Sequence, residues 1–253
     1  MSITVDLSGR RILVTGASSG LGAATCRAVV ECGGSVAMIA RRADRLSQLE
    51  AELGDRAIGI RGDVTDGPGL ETAIAQGAER LGGYDGVVSV AGKSMVGAIA
   101  TGTPQAWRDL VELNFLGSLS AVHYGLKHFA ERGRRDVVIV GSVAALTPMP
   151  GTGLYSATKS ALLAACESMR HELAPTGIGV GVVMPGMFDT EGLTLEGLVM
   201  DGPFPTNEFP VMTPDTVPGP AHLVGDAIAF MLGQPEGTTI NELVVRPTGQ
   251  LNP

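Results

Sequence analysis

The sequence predicts a three-layer, doubly wound α/β fold on a seven-stranded parallel sheet, and three observations predict it. Short apolar runs rich in Val and Ile alternate with helical patterns. The helical stretches run to ten residues or more, the length that a right-handed crossover between parallel strands needs. The first apolar run leads directly into a glycine-rich turn that opens a helix, from Thr15 to Gly22.

The elements follow in order. Arg11 to Thr15 reads as a short buried strand, and Gly20 to Glu31 carries small and apolar residues at helical spacing. Ser35 to Ala40 is the second strand. Ala43 to Leu53 places Leu46, Leu49 and Leu53 on one helical face, with charges opposite. Ala57 to Arg61 is a weaker strand and Gly86 to Val90 a strong one. Pro104 opens a long helix expected to reach about Arg132. Val137 to Gly141 is the fifth strand, Thr152 to Leu173 a helix, Gly179 to Val183 a strand and Ala221 to Leu232 a helix. Glu242 to Arg246 closes the series. No linker interrupts it, so residues 1–253 are expected to form one domain. The irregular stretch from Gly186 to Pro220, rich in Pro, Gly and Met, is too long for an ordinary connection and is expected to be a lid over a substrate.

Bulk properties narrow the function. The 253 residues are 44% hydrophobic and 17% charged, as suits a well-buried globule. The formal charge of -8 argues against nucleic acid, which needs a basic face to neutralise phosphates. Cys26, Cys32 and Cys166 form no C-x-x-C pair. A disulfide framework is not expected, and a reducing cytoplasm is the simplest setting. No signal peptide pattern opens the chain, and no apolar run approaches the roughly 20 residues that span a bilayer. His123, His128, His171 and His222 are scattered without metal-ligand spacing, so no metal is expected. The basic run from Glu131 to Arg135 reads as a solvated connection or, less simply, a dock for an acidic partner.

The turn has a physical purpose. Gly16, Gly20 and Gly22 allow a sharp bend, close approach of phosphates to backbone, and tight packing of helix on strand. The helix N-terminus then offers N–H groups and partial positive charge to a pyrophosphate. Strand, turn and helix in this order describe a Rossmann-type dinucleotide seat. Tyr155 and Lys159 are four residues apart and share a helix face. A phenol near an ammonium is expected to ionise more easily than a free tyrosine, which suits proton exchange with a carbonyl or alcohol oxygen. Ser142, at the end of the fifth strand, is placed to hydrogen-bond that oxygen.

The spacing G-x-x-x-G-x-G together with Tyr-x-x-x-Lys resembles the short-chain dehydrogenase/reductase family. The resemblance covers nearly the whole chain. Asp63-Val64, Ala91-Gly92, Asn114 and Pro185-Gly186-Met187-Phe188-Asp189-Thr190 add to it. Val90 departs from the pattern, since the family usually carries a sheet-supporting Asn there; the change is read as tolerated. The resemblance implies that Tyr155 is the acid/base and that Lys159 binds the nicotinamide ribose and tunes Tyr155. It implies that Ser142 orients the carbonyl and that Asn114 holds a water in a proton relay. It also implies cofactor contacts from Gly16, Ser18, Ser19, Gly20, Leu21, Gly22, Asp63, Val64, Ala91, Gly92, Tyr155, Lys159, Pro185, Gly186 and Thr190. A homodimer or homotetramer on the long helices is implied too. Ala157, Ala161, Ala164 and Ala165 would allow close contact there, or would face the sheet of their own subunit.

Cofactor type rests on the end of the second strand. Ala40-Arg41-Arg42 offers no acid to the ribose hydroxyls of NAD. Arg41 and Arg42, with Ser18 and Ser19, suit a 2′-phosphate instead, so NADPH is favoured over NADH. A solvated helix start is the plainer reading of the two arginines.

The substrate is expected to be a small carbonyl or alcohol. No Lys or Arg lies between Arg170 and Arg246, whereas Asp189, Glu191, Glu196, Asp201, Glu208 and Asp215 mark the lid region. Met187, Phe188, Leu193, Leu195, Leu198, Met200, Phe204, Phe209 and Met212 accompany them. An acidic lid over apolar residues favours a neutral, largely apolar substrate, unless those acids simply face water. Three functions remain: a carbonyl reductase or alcohol dehydrogenase; a reductase of acyl-carrier-protein thioesters, which would want a basic docking patch; and a non-catalytic cofactor-binding regulator.

Overall fold

The computed structural model describes residues 5–131, 133–191, 199–201 and 217–250. Seven strands form one sheet: β1 (Arg11–Thr15), β2 (Ser35–Ala40), β3 (Ala57–Arg61), β4 (Gly86–Ser89), β5 (Arg135–Val140), β6 (Ile178–Pro185) and β7 (Glu242–Val245). Their order across it is β7-β6-β5-β4-β1-β2-β3, and every neighbouring pair is parallel. The chain runs outward from β1 through β2 to β3, then returns to the other side of β1. That reversal leaves a crevice at the carboxyl ends of β1 and β4, where doubly wound sheets bind ligands.

Two apolar layers cover the sheet. In β1, Ile12 and Val14 pack with α1 (Gly20–Glu31), α2 (Ala43–Leu53) and α7 (His222–Leu232). Leu13 faces the opposite way, toward α3 (Gly67–Leu81), α5 (Gly117–Leu126) and α6 (Gly153–Leu173). Strands buried on both faces must be apolar throughout, which explains runs such as Val36-Ala37-Met38-Ile39.

The structure departs from the sequence expectations at four places. The expected series places no helix between Arg61 and Gly86, yet α3 forms there. Pro is in fact tolerated in a first helical turn, and the Asp66 carboxylate caps it by accepting the Gly69 N–H at 3.2 Å. The long helix expected from Pro104 is two helices, α4 (Pro104–Val111) and α5, joined by a π-turn over Glu112–Leu116, and it ends at Leu126 rather than near Arg132. The basic run after it is not simply solvated. Arg134 donates to both oxygens of buried Asp136 at 2.8 Å, and Arg10 donates to Oδ2 at 2.8 Å. Burial still pushes the Asp136 carboxyl above its usual range despite both guanidiniums. Finally, the described parts of the expected lid are ordered into short parallel pairs: Phe188–Asp189 with Gly219–Pro220, and Val199–Met200 with Met95–Val96. Leu193, Leu195, Glu196, Leu198, Phe204, Glu208, Phe209, Met212 and Asp215 lie outside the described residues.

On α6, Leu162 and Cys166 are fully buried toward the sheet. Ala157 and Ala164 are exposed, away from the sheet, and Ala161 and Ala165 are partly exposed.

α1 and α7 meet backbone to backbone. A Cβ on Gly225 would lie 2.6 Å from the Ala24 carbonyl oxygen. In an ordinary helix interior Gly→Ala stabilises by about 0.5–1 kcal/mol. Here Gly225→Ala is expected to destabilise by about 1–3 kcal/mol through overpacking, seen as a lower urea midpoint with unchanged slope.

Candidate active site

A cavity of about 450 Å³ opens at the carboxyl ends of β1, β4 and β5. Its floor is the turn after β1. Gly16 has φ +69°, and a Cβ there would lie 2.7 Å from the Ala91 nitrogen. At Gly22 a Cβ would lie 2.2 Å from the Gly16 carbonyl oxygen. Side chains are therefore barred where a dinucleotide must approach the backbone. Ser19 is the N-cap of α1 without a side-chain capping bond, and the first turn carries no acid, so the helix start favours an anion. This cradle fits a nicotinamide dinucleotide.

Every residue expected to contact the cofactor lines this one cavity: Gly16, Ser18, Ser19, Gly20, Leu21, Gly22, Arg41, Arg42, Asp63, Val64, Ala91, Gly92, Tyr155, Lys159, Pro185, Gly186 and Thr190. Val90, at the departure from the family pattern, lines it too, and its N–H donates to the Thr15 hydroxyl at 3.3 Å. At one end, Arg42 donates to the Ser18 hydroxyl at 3.2 Å and also to the Ser19 hydroxyl.

At the other end stand Ser142, Tyr155 and Lys159. Ser142 follows β5 and caps a 3₁₀ turn, its Oγ accepting the Ala144 N–H at 3.2 Å. That bond occupies a lone pair and leaves the hydroxyl proton for another acceptor. Tyr155 and Lys159 project from the first turns of α6. The Lys159 ammonium, 5% exposed, donates to the Val140 carbonyl at 2.8 Å and lies 5.9 Å from the Tyr155 ring centre.

Asn114 is the one expected catalytic residue outside the cavity wall. It is fully buried in the π-turn between α4 and α5. Its Oδ1 accepts the Lys93 N–H at 2.9 Å, and its amide donates to the Lys93 carbonyl at 2.9 Å and to the Thr158 hydroxyl at 3.3 Å. The side chain thus braces the loop after β4 against α6.

The family profile for short chain dehydrogenase matches residues 10–196. The chain belongs to the short-chain dehydrogenase family. It is 33% identical to a serine 3-dehydrogenase of Rhizobium radiobacter over 94% of both chains. It is 31% identical to glycine betaine reductase ATRR of Emericella nidulans over 95% of its own length, yet spans only 19% of that protein. A short chain dehydrogenase from Burkholderia cenocepacia, solved in complex with NADP, superposes with a TM-score of 0.80 at 29% identity, covering 95% of this chain and 97% of that one.

As a short-chain dehydrogenase the protein is an oxidoreductase, and its family binds NAD or NADP. Burial raises the Tyr155 phenol above its ordinary value; hydrogen bonds from Ser142 and Ser94 offset this only in part. Burial also brings the Lys159 ammonium down to about 8, and one of its N–H groups donates to the Val140 carbonyl at 2.8 Å. The shift in Tyr155 favours the protonated form of the phenol.

Two residues of the site escaped the sequence reading. Ser94 reaches the same phenol from the loop after β4, and Lys93 beside it is exposed and lines the cavity. Neither belongs to a recognisable spacing; the adjacency of Ala91-Gly92 was the only available signal. Among the described residues no cluster of His, Cys, Asp or Glu fits a metal, and no helix is long and apolar enough to cross a membrane.

Lys159 is charged below about pH 8 and loses its proton above it. The kcat/KM for reduction, which reports free-enzyme groups, is expected to hold below that pH and fall by about tenfold per unit above it. Lys159→Arg, whose charge persists to higher pH, should move the descending limb upward. A flat profile to pH 10 contradicts this assignment.

Proposed function

We propose that the protein is an NADP(H)-dependent oxidoreductase that interconverts a ketone or aldehyde with the corresponding alcohol. The observation that carries this reading is the two-ended cavity, with Ser142, Tyr155 and Lys159 at one end and Arg41, Arg42, Ser18 and Ser19 at the other. A nicotinamide cofactor, when bound, supplies or accepts the hydride. Tyr155 gives its proton to the carbonyl oxygen as negative charge develops there. Ser142 donates a second hydrogen bond to the same oxygen and holds it in place. Lys159 keeps a positive charge beside the ribose and phenol, and Asn114 fixes the loop that carries Ser94. The lack of an acid at Ala40 and the bound NADP of the Burkholderia cenocepacia relative support the phosphorylated cofactor.

Tyr155→Phe keeps the ring and removes the proton. Reduction of a ketone panel is expected to drop by at least about 100-fold, while the dissociation constant for NADPH stays within about twofold. Turnover near the wild-type rate overturns the assignment.

Substrate charge divides two readings. A neutral, apolar substrate draws support from Phe188 and Leu113 in the cavity wall. Two of the acids that first suggested it are engaged elsewhere, Glu191 with Arg42 and Arg45, and buried Asp201 with Thr103 and Trp107, while Asp189 is exposed. Lys93 favours the second reading, a substrate bearing a carboxylate, and the relative named serine 3-dehydrogenase acts by its name on serine, an alcohol that carries one. Matched neutral and carboxylated ketones decide between them. The second reading expects the acids to be turned over faster and Lys93→Met to raise their KM by about tenfold; faster turnover of the neutral partners returns the first.

A further inference from the structure

Glu191 stands at the phosphate end of the cavity, just past Thr190. Its Oε2 lies 2.7 Å from Arg42 Nη1 and its Oε1 3.0 Å from Arg45 Nη1. Arg42 is the guanidinium that also holds the Ser18 and Ser19 hydroxyls. It is the N-cap of α2, which starts at Ala43, so the carboxylate also sits by the positive end of an 11-residue helix. A single carboxylate thus draws on donors that a ribose 2′-phosphate would use, the Arg42 guanidinium, two serine hydroxyls nearby and a helix start, with Arg45 beside them. The Arg42 hydrogen bond holds the Glu191 carboxyl below its usual range, so the anion is present at neutral pH.

We infer that Glu191 is an internal occupant of the 2′-phosphate site and sets the margin by which the protein prefers NADPH to NADH. The inference rests on the NADP(H) reading above. The ion pairs are about half exposed on both sides, with side-chain exposures of 42–48%. Exposed pairs of this kind are weak. A phosphate monoester, with nearly two negative charges and three acceptor oxygens, displaces the carboxylate. NADH has no group to do so, and leaves Glu191 in place to neutralise the arginines. Glu191 therefore taxes only the phosphorylated cofactor: its contacts must be given up before the phosphate gains them.

Calorimetric titration of the full chain tests this without turnover. The ligands are NADPH, NADH and 2′,5′-ADP, a probe that carries the phosphate but no nicotinamide. Glu191→Gln keeps the size and removes the charge. It is expected to tighten NADPH and 2′,5′-ADP by about threefold or more, to leave NADH unchanged, and to lose the advantage in high salt. Tightening of all three ligands alike, or weaker NADPH binding, overturns the inference. Arg42→Ala separates the two levels of the argument. If wild type prefers NADPH and Arg42→Ala abolishes that preference, while Glu191→Gln changes nothing, the inference alone fails. If wild type binds NADH better and Arg42→Ala leaves NADPH binding untouched, the cofactor reading falls and takes the inference with it.

Discussion

The carboxyl ends of β1 and β4 lie so close that no side chain fits between the turns that follow them. Gly16 stands against the Ala91 nitrogen, and Gly22 against the Gly16 carbonyl. This closeness puts α1's start, the loop of Ala91 and Gly92, and the head of α6 around one cavity. The parallel order of the sheet creates the crevice, and the missing side chains leave it open to a ligand's phosphates.

The sheet divides its labour between its two ends. The amino end of β5 holds the buried Asp136 with Arg10 and Arg134, which also donate to the Leu232 carbonyl at the end of α7. Breaking such a pair leaves a buried charge uncompensated and is costly, so the arrangement fastens sheet and helix. The carboxyl end of the same strand leads into Ser142. Charges at one end are spent on structure, and polar groups at the other keep free donors for a ligand.

Burial decides the chemistry more than charge does. A phenol and an ammonium in one pocket suggest mutual stabilisation, yet each is moved mainly by loss of water. The phenol rises, the ammonium falls to about 8, and the carbonyl of Val140 accepts a hydrogen bond from the ammonium. Desolvation penalises whichever form is charged, and it acts on both groups before they act on one another. Loss of water therefore favours the protonated phenol of Tyr155. Asn114 follows the same logic: inside the protein its amide must be satisfied, and the Lys93 backbone and Thr158 satisfy it.

The amino-acid sequence by itself determined the class of fold, the seven strands, the glycine turn, and the pairing of Tyr155 with Lys159, because periodicity and short spacings are local properties. It also marked Ser142 and the arginines after β2, whose residue types carry their chemistry with them. It concealed α3 behind Gly67-Pro68-Gly69, since turn-like composition there is overridden by the Asp66 cap and packing against the sheet. It read Arg134 as solvated, since its partner's burial comes only with the fold. Only the tertiary structure brought Ser94 to the phenol, Lys93 to the cavity mouth, and Glu191 onto Arg42 and Arg45. Those partners are separated by up to 149 residues, and no local pattern records a meeting that only the crossovers of the sheet bring about.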